Sequence, residues 1–240
     1  MGQADWAVVP IRATDGDEPL FFTQHEWDTI EAATARIIPT DHHPGAREAK
    51  VVRFIDRMLS GTDFVYAAAD GSGFLQLTGK DRESWEARIR RRGELYRDGV
   101  RRLDELALAE GGKPFVELDE DAQDRVLEQL SGAPKPARYE ITGEETGTGG
   151  APAGNQPMNE DFLDFFPLLV LNTRQGFYAD PVYGGNVDHI GWRVIGFDGP
   201  PSLKSTTDGS YTTIQYMIPE AEWPYERHPA VLRYRTVARR

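Results

Sequence analysis

The stretch of sequence that decides the fold reads FFTQHEWDTIEAATARIIP and covers residues 21–39. Thr23 is followed three residues later by Glu26, which is the spacing of a capping box, in which each side chain accepts a hydrogen bond from a backbone amide at the helix start. Pro39 has no amide hydrogen with which to continue a helix. Between these signals, apolar residues recur at helical spacing: Trp27, Ile30, Ala33, Ile37 and Ile38. The stretch therefore predicts an amphipathic helix with one buried face.

Four further segments repeat this helical spacing of apolar residues. They cover residues 46–59, 81–110, 119–130 and 159–173. Gly111 and Gly112 end the longest segment, Asp119 caps the next, and Pro167 is a candidate kink site in the last. Residues 211–218 alternate between apolar and polar, as a strand does. The expected fold is mainly α: a single helical domain with long irregular loops, an aromatic Gly-rich C-terminal region, and one short strand or hairpin.

Composition divides the chain into three parts. Residues 1–20 are mostly polar and contain Pro10, Gly16 and Pro19, so they predict an extended N-terminal arm. The helical domain is expected over 21–200. It is interrupted at 131–158 by a flexible loop rich in Gly, Pro and Thr, which holds almost no bulky apolar residue. Residues 201–240 are expected to form a C-terminal extension.

The overall composition excludes several classes of function. No apolar run approaches the roughly 18 residues that a membrane span needs. A net charge of −12 disfavours nonspecific binding to nucleic acid or to an anionic membrane. The one basic cluster, at 88–92, lies among carboxylates and is interpreted as a charged helix face, with a docking patch as the alternative. The absence of cysteine removes thiolate catalysis, cysteine-ligated iron–sulfur clusters and covalently attached haem.

The motifs that usually carry chemistry are incomplete. His25 and Glu26 begin like the zinc motif of a metalloprotease helix, but Thr29 stands where the second histidine would be. His42 and His43 are adjacent, and neighbouring residues rarely aim both rings at one ion. No glycine-rich phosphate cradle opens a helix. We expect no catalytic residue, no cofactor and no metal in this chain. The 39 acidic residues leave paired carboxylates, as in a glycosidase, as an alternative.

The densest constellation of aromatic residues and glycines is the aromatic segment, defined as residues 176–197. Aromatic rings bury large areas, and glycine lets the backbone approach another surface closely. Two interpretations stay open: a well-packed irregular loop inside this chain, or a surface that binds a partner protein. The candidate partner-interface residues are Phe177, Tyr178, Tyr183, Gly184, Gly185, Asn186 and Trp192.

Ten short blocks, taken in order, resemble the gluconate 2-dehydrogenase subunit 3 family. They are FFT at 21–23, IIPTD at 37–41, PGAREA at 44–49, VRFID at 52–56, YRDG at 96–99, FVEL at 115–118, FF at 165–166, GFYADP at 176–181, YGGN at 183–186 and GW at 191–192. Each block alone is a weak signal, but the ordered series is specific. The resemblance runs over about 21–200.

This resemblance implies a non-catalytic small subunit, without a cofactor of its own, in an oxidoreductase complex that acts on CH–OH groups of sugars or glycosides. Its partner would be a large flavoprotein of the glucose–methanol–choline type, which holds the FAD, with a cytochrome c subunit as a further partner. The small subunit would stabilise the flavoprotein and help its maturation or export, in the manner of a chaperone.

The resemblance places the complex in the periplasm. Residues 1–19 contain neither an apolar segment nor an Arg-Arg pair, so a cytoplasmic location is the expectation if Met1 is the natural start. Two other functions remain as alternatives: a carbohydrate-binding or scaffold module, for which the aromatic segment would be the sugar platform, and an independent carboxylate-based glycosidase.

Overall fold

A computed structural model describes residues 7–10, 18–132, 163–197, 199–200 and 203–207. Within these ranges the structure is mainly α, as the sequence predicted. The helices are α1 (Gln24–Ile37), α2 (Val51–Ser60), α3 (Gly79–Gly111), α4 (Glu120–Ser131), α5 (Phe165–Tyr178), α6 (Ile190–Val194) and α7 (Leu203–Thr207). Short 3-10 helices cover Thr62–Phe64, Phe115–Glu117, Pro181–Tyr183 and Val187–His189. The strands β1 (Val8–Pro10) and β2 (Gly73–Leu75) form one antiparallel pair.

The predicted capping box opens α1. The Glu26 carboxylate accepts a hydrogen bond from the Thr23 amide at 2.8 Å, and the Thr23 hydroxyl accepts one from the Glu26 amide at 3.3 Å. The apolar face of α1 is buried, with Trp27, Ile30 and Ala33 in the core. The sequence signal for the first helix is therefore confirmed at its start and on its buried face.

The core lies between α1, α2, α3 and α5, with α4 packed along α3 and α1. Tyr96 of α3 is fully buried, and its hydroxyl accepts a hydrogen bond from the Nδ2 of Asn172 on α5 at 2.8 Å. A Cβ at Gly99 would collide with the ring of Phe165, so this glycine permits the close approach of α3 and α5. Tyr96 and Phe165 complete the contact edge to face, with 5.5 Å between ring centroids.

Two helix boundaries differ from the sequence prediction. Residues 46–50 are not part of α2, because Lys50 adopts a left-handed conformation (φ 55°) and separates the preceding turn from the helix. Helix α5 extends to Tyr178 instead of ending at 173. Pro167 does not interrupt α5, since it lies in the first turn, where the missing amide would have no helical partner.

Several predictions fall outside the described residues. They concern most of the loop at 131–158, the helix start at 159–162 and the strand at 211–218. In the part of the chain that the structure describes, no helix is long and apolar enough to cross a membrane.

Candidate partner-binding site

The aromatic segment turns back onto the C-terminal end of α5, and two glycines make this possible. A Cβ at Gly185 would collide with the carbonyl oxygen of Gly176, and a Cβ at Gly191 with that of Phe177. Backbone therefore packs directly against backbone at both positions, which no larger residue permits. The sequence pattern of interleaved glycines thus reflects a close approach within this chain.

The side chain of Asn186 stabilises the turn with two hydrogen bonds to the backbone, one before it and one after it in the chain. Its Nδ2 donates to the carbonyl oxygen of Ala179 and its Oδ1 accepts from the amide of Gly191, each at 2.8 Å. The residue is fully buried and adopts a left-handed conformation (φ 48°), which asparagine tolerates better than most residues. A side-chain amide has an NH₂ group that donates and an oxygen that accepts, and this turn uses both groups.

Trp192 contacts the C-terminal end of α5. Its indole N–H donates to the carbonyl oxygen of Tyr178 at 2.8 Å. Its ring stacks on His189 and meets Phe197 edge to face, with centroid separations of 4.8 and 5.3 Å. The side chain is only 6% exposed, so its contacts are made mostly inside this chain.

The next part of the aromatic segment packs against α2 and the loop before β2. The carbonyl oxygen of Gly184 accepts a hydrogen bond from the Nε of Arg53 at 2.7 Å. The Tyr183 hydroxyl accepts one from the amide of Ala67 at 3.2 Å, and its ring meets Phe74 edge to face. These contacts tie the aromatic segment to parts of the chain more than a hundred residues earlier.

The seven candidate interface residues therefore differ in their surroundings. Five are buried within the chain: Phe177, Gly184, Gly185, Asn186 and Trp192. Tyr183 is half buried, and Tyr178 is 41% exposed. The buried members show the internal packing that the first interpretation expected. A partner-facing role for the group remains a prediction, which Tyr178 and Tyr183 are best placed to serve.

The structure also shows a groove that the sequence did not reveal. This groove, called the α2–α3 groove below, has a volume of about 320 Å³ and is largely apolar. Its lining comes from α2, the 3-10 helix that follows, α3, the end of α5 and the residues just after α5: Phe54, Met58, Phe64, Val65, Trp85, Ile89, Arg92, Gln175, Ala179 and Tyr183. Trp85 and Ile89 belong to the apolar stripe of the helix predicted at 81–110; Ile89 is buried, whereas Trp85 is half exposed.

Several guanidinium groups lie at or next to the α2–α3 groove. Arg92 is one of the lining residues and is buried. The guanidinium carbon of Arg88 lies 4.6 Å from the ring centroid of Trp85, and that of Arg57 lies 5.9 Å from the ring centroid of Phe64. Such cation–π contacts keep positive charge close to an aromatic surface.

The histidines considered as metal ligands in the sequence lie in surroundings that do not form a metal site. The Nε2 of His25 lies 2.6 Å from Asp104, whose other oxygen accepts a hydrogen bond from the Phe115 amide. His42 and His43 are exposed in the turn after α1. Among the described residues, no three histidines or carboxylates are grouped so that they could hold a metal ion.

A sequence model of the family described as gluconate 2-dehydrogenase subunit 3 matches residues 24–199. The chain belongs to the gluconate 2-dehydrogenase subunit 3 family. Comparison with curated proteins and with solved structures gave no match. The subunit 3 match begins with α1 and ends after α6, so it contains both the aromatic segment and every residue that lines the α2–α3 groove. Of the two paired strands, β2 lies inside the matched region and β1 lies before it.

Proposed function

We propose that this chain is the non-catalytic small subunit of a heteromeric, FAD-dependent sugar or glycoside dehydrogenase. The observation that carries the proposal is the family match, which covers 24–199 and so includes all five long helices. The family is described as a subunit of gluconate 2-dehydrogenase. An accessory role for this chain in an oxidoreductase complex agrees with its membership of that family.

In this proposal the chemistry takes place in the partner. A large flavoprotein of the glucose–methanol–choline type binds FAD and oxidises the sugar, and a cytochrome c subunit accepts the electrons in complexes that contain one. The small subunit binds the folded flavoprotein, stabilises it by mass action because it binds only the native state, and accompanies it into the periplasm.

The internal structure of the chain supports a binding role. The buried polar side chains of Asn186 and Asn172 are used to join parts of its own fold. Surface features that suit a partner lie together at the end of α5, where the exposed ring of Tyr178 is followed directly by Ala179 of the α2–α3 groove. Exposed aromatic surface is typical of interface anchors.

The test is co-purification from the native host. An affinity tag on this chain should retain a flavoprotein, and the retained complex should show a flavin absorption spectrum that bleaches when the sugar substrate is added. The matched control is the same tagged chain produced alone, which should show no such spectrum and no dehydrogenase activity. Sugar oxidation or glycoside hydrolysis by the chain alone would contradict the proposal, as would a tagged chain that retains no flavoprotein.

A further inference from the structure

Strand β2 has a hydrogen-bonded neighbour on each of its two edges. On one edge it meets the segment 66–68, where the Leu75 amide donates to the carbonyl oxygen of Tyr66 at 2.8 Å. On the other edge it pairs with β1 in antiparallel register, which places Val9 opposite Phe74. Strand β1 therefore covers the edge of β2 that the segment 66–68 leaves open.

The register shows which backbone groups attach β1 to β2. The Gln76 amide donates to the carbonyl oxygen of Ala7 at 2.8 Å. Hydrogen-bonded pairs of residues alternate with non-bonded pairs along an antiparallel ladder. Two positions further along, Val9 and Phe74 therefore form the next hydrogen-bonded pair.

The other positions of β1 have backbone amides or ring nitrogens that face away from β2. These positions are Val8 and Pro10, opposite Leu75 and Gly73. Proline is tolerated in an edge strand where no amide hydrogen is needed, and Pro10 lies at such a position. The side chain of Val8 is 42% exposed. The described attachment of β1 to β2 is therefore made by backbone groups.

The two strands that flank this ladder also hold Tyr183 of the aromatic segment. The amide of Ala67, which lies opposite Phe74, donates to the Tyr183 hydroxyl at 3.2 Å. The ring of Phe74 is 2% exposed and meets the ring of Tyr183 edge to face, with 5.8 Å between centroids. Phe74 thus pairs with Val9 through its backbone and contacts Tyr183 through its side chain. An isolated two-stranded ribbon is only marginally stable, so the third strand stabilises the arrangement in which these contacts form.

We infer that β1 is a strap that positions Tyr183: the pairing of Val9 with Phe74 holds β2 and the segment 66–68 where the Ala67 amide reaches the Tyr183 hydroxyl. Strand β1 lies before the family match at 24–199, whereas β2 and Tyr183 lie inside it. A segment outside the matched region thus acts on one of the two candidate interface residues that are not fully buried. The strap is a property of the chain alone and does not depend on the proposed function.

Two proline substitutions test the strap in the full chain. Val9→Pro removes an amide that faces β2, whereas Val8→Pro removes one that faces away and adds the same ring to the same strand. Amide hydrogen exchange measured by NMR follows Gln76, whose amide donates to β1, and Ala67, whose amide donates to the aromatic segment. Exchange at both amides should accelerate about tenfold or more in Val9→Pro and less than about threefold in Val8→Pro.

The reciprocal change starts at the aromatic segment. Coupling between two contacts acts in both directions, so Tyr183→Phe, which removes the acceptor of the Ala67 amide, should also accelerate exchange at Gln76 by about threefold or more. Tyr178→Phe is the matched control, since it removes a hydroxyl from an exposed ring and should leave exchange at Gln76 unchanged. The amide of Leu169, buried in α5, reports global unfolding and should exchange at the native rate in all four variants.

Three results would overturn the inference. Faster exchange at Gln76 with native exchange at Ala67 in Val9→Pro would show that β1 pairs with β2 without acting on Tyr183. Equal exchange in Val8→Pro and Val9→Pro would show that the register does not hold β1. Native exchange at Gln76 in Tyr183→Phe would exclude the coupling from the other side, and this result decides alone if Val9→Pro does not fold.

Discussion

The Asp56 carboxylate accepts a hydrogen bond from the backbone amide of Phe22, with 2.9 Å between Oδ1 and N. The amides of Phe21 and Leu20 donate to the same carboxylate at 3.0 and 2.7 Å. Asp56 is buried in α2, so one side chain fixes the segment that leads into α1. The ring of Phe22 thereby enters the core beside Tyr96, with 6.0 Å between ring centroids.

Replacing this carboxylate should destabilise the whole domain. We expect Asp56→Ala to lower the free energy of unfolding by about 3 kcal/mol, because three amides lose a charged acceptor and at least one is left buried. The stability of Asp56→Asn should fall between those of the native chain and Asp56→Ala, since its single side-chain oxygen can accept only some of the three hydrogen bonds. The matched control is Asp63→Ala, an exposed position, expected to change stability by less than about 0.5 kcal/mol. Urea unfolding monitored by circular dichroism measures all three, and equal effects at positions 56 and 63 would contradict the expectation.

Glu48 organises the turn between α1 and α2 through one oxygen. Its Oε2 accepts hydrogen bonds from the Thr40 hydroxyl at 2.7 Å and from the Gly45 amide at 2.8 Å. Burial alone would raise the pKa of Glu48, but these hydrogen bonds and the nearby charge of Arg47 outweigh it, so the pKa is lowered below its ordinary value of 4.5. Hydrogen bonds to the charged form of a carboxyl group have this effect.

The lowered pKa of Glu48 predicts a specific pH dependence of stability. Because the unfolded chain binds the proton more tightly than the folded chain does, the contribution of Glu48 is complete above its ordinary pKa and is lost as the pH falls through the folded value. Glu48→Gln should therefore flatten the acid limb of the unfolding free energy below about pH 4.5. Thr40→Val should flatten it partly, by removing one donor. Identical pH profiles for Glu48→Gln and the native sequence would contradict the assignment.

The helices were predictable from sequence because their signals are local. The capping box at Thr23 and the cap at Asp119 act within three residues, and both are present as expected. The start of α2 was not predictable, because it depends on the left-handed conformation of Lys50. No composition rule identifies a lysine in that conformation, whereas a glycine there would have been noticed.

The candidate functional surface was less predictable than the fold. The aromatic segment stood out in the sequence as a candidate, but sequence alone could not tell which of its aromatic residues face inward. Trp192 and Phe177 are buried, whereas Tyr178, which directly follows Phe177, is 41% exposed. The α2–α3 groove depends on α2, α3 and α5 coming together across the fold, and a helical stripe such as Trp85 and Ile89 looks the same whether its far end is covered or open.

The contact of Gly191 with α5 allows a direct test of the close backbone approach. Gly191→Ala would place a methyl group against the carbonyl oxygen of Phe177, which is a backbone atom and cannot move aside locally. We expect a loss of about 2 kcal/mol or more in the free energy of unfolding. In Gly111→Ala the new methyl group would meet only the flexible tip of Leu118, so this control should lose less than about 1 kcal/mol. Thermal unfolding of the isolated chain compares the two, and a smaller loss for Gly191→Ala than for the control would show that α6 can shift away from α5.

Tyr178 and Trp192 allow folding and partner binding to be tested separately within one turn. The two are joined by a hydrogen bond from the indole of Trp192 to the carbonyl oxygen of Tyr178, yet Trp192 is 6% exposed and Tyr178 is 41% exposed. Trp192→Ala removes a buried ring and should lower the free energy of unfolding of the isolated chain by about 3–5 kcal/mol. Tyr178→Ala removes an exposed ring while the carbonyl oxygen remains, so it should change that quantity by less than about 1 kcal/mol.

The binding measurement then decides whether the aromatic segment faces the partner. If Tyr178 is an anchor, Tyr178→Ala should raise the dissociation constant of the complex by a factor of about 30, equivalent to about 2 kcal/mol. Tyr178→Phe is the matched control: it keeps the ring area and should bind within about threefold of the native chain. For Trp192→Ala, binding has to be measured at a temperature where the variant is folded, since lost folding alone would lower the apparent affinity. Native affinity for Tyr178→Ala together with a folded, normally binding Trp192→Ala would assign the aromatic segment to the core of this chain and leave recognition of the flavoprotein to other surfaces.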